Sequence, residues 1–124
     1  MSIIVVNNFI DSIQKIRLFD SKTQRPTYDL PAYSQFEFQV FEPGIRDPII
    51  KIGNSDISIS SEHRGYSENM INIKIAKEIL NGFISNPANT DKIREYRLLA
   101  TDRYGTQVLL AQDCFYIEDS LMGR

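Results

Sequence analysis

The sequence predicts an all-β fold: an antiparallel β-sandwich of about seven or eight short strands with one short helical turn. Three observations carry this reading. Apolar and polar residues alternate with period two along most of the chain, the mark of half-buried strands. Turn residues recur at the spacing of a sandwich. No periodic apolar stretch reaches the dozen or so residues that a helix crossing between parallel strands needs. A small barrel has the same strand count and stays open as an alternative.

The first apolar run is Ile3-Ile4-Val5-Val6, followed by Asn7-Asn8-Phe9. It reads either as the first strand of the domain or as an arm, residues 1–11, that pairs with a neighbouring chain. Such pairing would cover an otherwise aggregation-prone strand. The sandwich proper is expected over residues 12–119, with 120–124 as a tail. Ser12 to Phe19 alternates, with Ile16 and Leu18 inward and Lys15 and Arg17 outward. Asp20-Ser21-Lys22-Thr23 has turn composition.

Ser34 to Glu42 alternates most clearly. Phe36, Phe38 and Val40 share one face, and Gln35, Glu37 and Gln39 the other. Pro43-Gly44 ends it. Pro48 to Ile52 and Ser55 to Ser60 are two further strands, with Gly53-Asn54 between them as a hairpin turn or bulge. Ser61 to Glu68 is a polar loop. Met70 to Ile75 turns Ile71, Ile73 and Ile75 inward. Ala76 to Gly82 is the helical turn, with Gly82 as its stop. Ser85 to Asp91 is a loop. Arg94 to Thr101 carries Tyr96, Leu98 and Ala100 on one face, and Asp102-Arg103-Tyr104-Gly105 is a tight turn in which the Asp102 side chain stabilises the backbone. Thr106 to Ala111 returns as its partner, and Cys114 to Glu118 is a last short strand with Phe115 and Ile117 inward.

The chain has 124 residues, enough for one domain that buries about two-thirds of its unfolded surface. Its net charge is −2, without the basic footprint of a nucleic-acid binder. One cysteine and one histidine are too few for a zinc site of those ligands, and a lone cysteine forms no intrachain disulfide. The N-terminal apolar run is too short for a signal peptide, and no stretch has transmembrane length. A soluble, unanchored protein is expected, with no membrane and no nucleic acid among its partners.

Catalytic chemistry has little to stand on. His63 lies in the loop Glu62-His63-Arg64-Gly65 and reads as an exposed residue without a role. Cys114 reads as a small core hydrophobe. Glu37 and Glu42 fall on opposite faces of one strand, and Asp113, Glu118 and Asp119 lack the spacing of a calcium loop. Phosphate-loop and nucleophile-elbow patterns do not occur. The expectation is a protein that is not an enzyme and holds no cofactor or metal.

Aromatic residues point instead to contact. Tyr28, Tyr33, Tyr66 and Tyr104 fall in predicted loops or turns, and Tyr66 and Tyr104 lie close to Arg64 and Arg103. Tyr and Arg are enriched at protein interfaces. The candidate interface is therefore Ile3, Ile4, Val5, Val6, Phe9, Tyr66 and Tyr104. Two other readings stay open. The rings cover the ends of the sandwich, or Tyr28, Tyr33, Tyr66 and Tyr104 serve a carbohydrate- or ligand-binding module.

One order of residues carries a resemblance. Ile71-Asn72-Ile73-Lys74-Ile75 is followed by Ala76-Lys77-Glu78-Ile79-Leu80. Then come Tyr96-Arg97-Leu98-Leu99-Ala100-Thr101-Asp102-Arg103-Tyr104-Gly105, Val108-Leu109-Leu110-Ala111 and Phe115-Tyr116-Ile117. This order resembles the immunoglobulin-like domains of tailed-bacteriophage virion proteins, such as those at the N-terminus of baseplate and receptor-binding proteins. The resemblance covers about residues 34–119 and is best after residue 70. It implies an immunoglobulin-like sandwich with no cofactor and no catalytic residues, present in multiple copies. It also implies a virion structural protein, assembled in the host bacterial cytoplasm, that attaches to or decorates the capsid or the tail and baseplate. Its partners would be a major capsid or tail protein and further copies of itself. Such domains commonly precede a fibre, coiled coil or further domain. Here the chain stops at Arg124, soon after the matching segment, and the expectation is an attachment module alone.

Overall fold

The computed structural model describes residues 3–7, 10–20, 25–26, 30–60, 70–83 and 93–118. The fold is an all-β sandwich. Its larger sheet contains β1 (Ile4–Asn7), β10 (Gln107–Glu118), β9 (Ile93–Asp102), β5 (Tyr33–Phe41) and β6 (Ile50–Ile52), in that order. Its smaller sheet contains β2 (Ser12–Arg17), β8 (Met70–Ile75) and β7 (Ile57–Ser60), in that order. A short ladder joins β3 (Phe19–Asp20) to β4 (Arg25–Pro26). Asp20, expected in a turn, is thus a ladder residue, while 21–23 lie outside the described residues.

This is the immunoglobulin strand order. Leaving aside the short β3–β4 ladder, the second, sixth and fifth strands form one sheet, and the last two strands lie between the first and the third and fourth in the other. Antibody domains pack a buried Trp of the third strand on an inter-sheet disulfide. This chain has no Trp and one Cys, and Phe38 of β5 fills the centre instead. Its ring stacks on Tyr96 at 5.4 Å and meets Phe115 at 6.0 Å. Around them Ile16, Ile71, Ile73, Ile75 and Leu98 are buried, as alternation requires.

Every described ladder but one is antiparallel. The exception is β1, which runs parallel to β10 with Ile4 opposite Phe115 and Val6 opposite Ile117. All four of these side chains are buried. The N-terminal run is therefore the first strand of its own domain, and the reading as a free arm falls.

Three other expectations change. β6 and β7 are not a hairpin: a 3-10 turn, Asn54–Asp56, carries the chain from one sheet to the other. The Asn54 side chain there takes the place of a missing strand. Its Oδ1 accepts the Phe36 N–H at 2.6 Å, and its Nδ2 donates to the Ser34 carbonyl at 3.1 Å. Residues 107–118 form one strand rather than two, because a β-bulge between Leu109 and Ala111 shifts the phase. Leu110 and Ala111 are consecutive and both buried. The helix α1 runs Lys77–Phe83, so Gly82 lies within it and is not its stop. Its first turn is capped from far away, by Asp11 Oδ1 accepting the Lys77 N–H at 2.9 Å.

Candidate interface

The outer face of the larger sheet holds an apolar row at one end. The parallel register sets Val5 opposite Tyr116, and the antiparallel register sets Tyr116 opposite Ile93. All three have outward parity, since their neighbours Ile4, Val6, Phe115, Ile117 and Arg94 are buried. Val5 is 50% exposed and Ile93 61%, while Tyr116 between them is half-buried. Adjacent strands are about 4.8 Å apart, so the row spans about 10 Å.

Two residues extend it. Ile3, 66% exposed, leads into β1. Ile45, 53% exposed, follows the Pro43-Gly44 turn, where Gly44 takes φ +77° and the Ile45 N–H returns to the Glu42 carbonyl at 3.1 Å. Ile45 and Ile93 line one groove of about 430 Å³, together with Phe41, Arg46 and Arg97.

A polar rim borders the row. Arg97 Nε lies 2.7 Å from Glu95 Oε1, and the guanidinium rests over the Phe41 ring at 4.6 Å. Gln112 Nε2 donates to the same Glu95 oxygen at 2.9 Å. An apolar centre with a hydrogen-bonded, Arg-containing rim is the anatomy of a protein interface. The row also ends on an edge strand, where exposed apolar residues invite pairing.

Below the groove sits Arg94, the one charged side chain fully buried among the described residues. Its Nη2 lies 3.5 Å from Glu42 Oε1. Burial lowers the pKa of the guanidinium from its usual range, against the opposing pull of the Glu42 charge and hydrogen bond. It forms part of the floor of the groove.

The structure divides the expected interface residues. Ile3 and Val5 belong to the exposed row. Ile4 and Val6 are core residues and are closed to any partner. Tyr104 is 79% exposed, with Arg103 5.1 Å from its ring centre, but it caps the β9–β10 turn at the far end of the sheet. β9 is ten residues long, so Tyr104 stands about 30 Å from Ile93. Phe9 and Tyr66 lie outside the described residues, as do Tyr28 and His63. Tyr33 is half-buried and packs edge-on against Phe36 at 6.2 Å, so it is no open platform for a sugar.

Cys114 is a correction. It is exposed, because Phe115 and Ile117 hold the inward positions of that part of β10. Ile93, Ile45 and Tyr116 complete the exposed row, and none of them is among the residues the sequence singles out. The available signal was parity: Ile93 shares its face with Glu95 and Arg97, where a polar residue is the norm. Among the described residues no cluster of three or more His, Cys, Asp or Glu could hold a metal ion. No helix of the described residues is long and apolar enough to cross a membrane.

No protein-family model and no curated protein matches this sequence.

Proposed function

We propose that the chain is a structural protein of a bacteriophage virion, a multi-copy attachment or decoration module of the capsid or of the tail and baseplate. It acts by protein–protein binding through the outer face of its larger sheet. The observation that carries the binding role is the row Val5–Tyr116–Ile93, exposed on an edge-bearing face beside Ile3 and Ile45. A contiguous exposed apolar patch with a polar rim marks an interaction site on a folded domain. The virion setting rests on the residue order from Ile71 to Ile117 that resembles phage immunoglobulin-like domains, together with the sandwich fold. Repetition on a particle supplies avidity, so each contact can be small.

The test is mass spectrometry of particles purified from the lysate that contains this chain. The chain is expected at a fixed ratio to the major capsid or tail protein. Its absence from purified particles, with free chain left in the supernatant, overturns the virion role.

A further inference from the structure

β1 stands at the end of the larger sheet, and among the described residues no strand lies on its other side. An edge strand turns about half of its backbone N–H and C=O groups away from its own sheet, a template for another strand. Sheet edges are ordinarily guarded by charge, proline, bulges or short length. β6, at the other end of the same sheet, follows that rule: it has three residues, its central Lys51 is exposed, and Pro48 precedes it. On the smaller sheet, β2 carries the exposed Lys15, and β7 turns Ser58 and Ser60 outward, where a partner strand gains no apolar contact. β1 has none of these guards. Ile3 to Asn7 contains no charge and no proline, and the ladder to β10 runs from Ile4 to Asn7 without a bulge.

The edge is also complementary to itself. Set antiparallel about a two-fold axis at Val5, two copies place Val5 opposite Val5 and Ile4 opposite Val6. No like charges meet, and every side chain keeps its face: Ile4 and Val6 on the buried side, Val5 on the outer side. The exposed row supports this register. Ile93, Tyr116 and Val5 run straight across three strands and end at β1. Pairing centred on Val5 continues that line straight into the copy, and one outer face then carries two such rows end to end, about 24 Å in all.

We propose that β1 pairs antiparallel with β1 of a second copy of this chain, joining two five-stranded sheets into one. The contact is isologous and closes at two copies. A head-to-tail contact of β1 with β6 would run on without end, and Lys51 guards against it. The pairing uses the edge of β1 and leaves the outer face open. It needs no particle, so it stands apart from the virion role.

The test is sedimentation velocity of the full chain from about 10 µM to about 1 mM, because a four-residue strand pair is a small contact. The chain is expected to pass from monomer to dimer and no further. Val5→Asp sets two carboxylates opposite each other and weakens self-association at least about tenfold. Ile13→Asp, at an exposed position of the smaller sheet, leaves it unchanged. Crosslinking reads the register. In a Cys114→Ser background with oxidised glutathione, Val5→Cys is expected to form an interchain disulfide, since directly opposed residues have Cα atoms about 4.5–5.5 Å apart. Ile93→Cys, about 24 Å from its copy, is expected to form none. Circular dichroism checks that each variant is folded, and the crosslink carries the test should Val5→Asp fail to fold. The proposal is overturned by a chain that stays monomeric at about 1 mM, by association beyond a dimer, by Val5→Asp associating like wild type, or by a crosslink through Ile93→Cys in place of Val5→Cys.

Discussion

Val5 of β1 and Tyr116 of β10 are in-register neighbours on a parallel strand pair, and both lie on the outer face of the larger sheet. The same pairing that buries Ile4 and Val6 turns Val5 outward, because successive side chains of a strand alternate. The N-terminal strand is thus both a structural element and part of the proposed contact surface. Its two faces can be tested separately.

Removal of residues 2–9 tests the inward face. Ile4 and Val6 each contribute about 1.5–3 kcal/mol of burial, so the deletion should cost about 3–6 kcal/mol. For a domain of this size that lowers the melting temperature by about 10–20 °C. Thermal denaturation followed by circular dichroism reads it directly. A truncated chain that melts like the full chain would restore the free-arm reading.

Asp102 holds the β9–β10 turn. Its Oδ1 accepts the Tyr104 N–H at 2.8 Å and the Thr106 N–H at 2.9 Å, and Gly105 supplies the φ of +86° that the turn requires. Asp102→Ala is expected to cost about 1–2 kcal/mol by urea denaturation, and Gly105→Ala about 1 kcal/mol. Asp102→Asn, which keeps an acceptor oxygen, should recover much of the loss. Equal losses for Ala and Asn would show that the acceptor oxygen is not what matters.

Cys114 gives a chemical reading of the β10 register. It is exposed, one residue from buried Phe115. Ellman's reagent should modify one thiol per chain in the native state, at a rate close to that of the urea-unfolded chain. Native protection of the thiol would mean that the strand is shifted by one residue. Cys114 pairs with Glu95 on the outer face, so a bulky maleimide there should also impair partner binding.

Glu42 is an ionic partner of the buried Arg94. Glu42→Gln removes one ionic contact from a cation that stays in the interior, and a loss of about 1–2 kcal/mol is expected in urea denaturation. Arg94→Met removes the cation as well, and combined with Glu42→Gln it should recover part of that loss. Additive losses in the double variant would show that the two side chains are not coupled.

Much of this fold is legible in the residues. Phe38, Ile73 and Tyr96 each stand between polar neighbours, Val40, Ile71, Ile75, Leu98 and Phe115 hold the same parity along their strands, and all eight are buried. The Asp102–Gly105 turn is equally plain, since its acceptor and its glycine are local. Long-range partners are what the sequence conceals. Asn54 completes a strand edge 18 residues away, and Asp11 caps a helix 66 residues ahead, so neither has a local signature. The bulge at Leu110 breaks the alternation and makes one strand look like two. The candidate site was half legible. Ile3 and Val5 were found as an apolar run, but Tyr116, Ile93 and Ile45 join them only through the order of strands in the sheet.

The most direct test of the central claim is a rebinding assay. Particles from a phage lacking the chain are mixed with purified wild-type, Val5→Asp or Ile93→Asp protein and separated by sedimentation. Both substituted positions are exposed, so both variants should melt within a few degrees of wild type, which circular dichroism verifies. Wild-type chain is expected to saturate the particles, and each variant to bind at least about tenfold more weakly. Equal binding by wild type and both variants would contradict the assignment of the Val5–Tyr116–Ile93 row as the contact surface. Failure of the wild-type chain to bind would contradict the virion role itself.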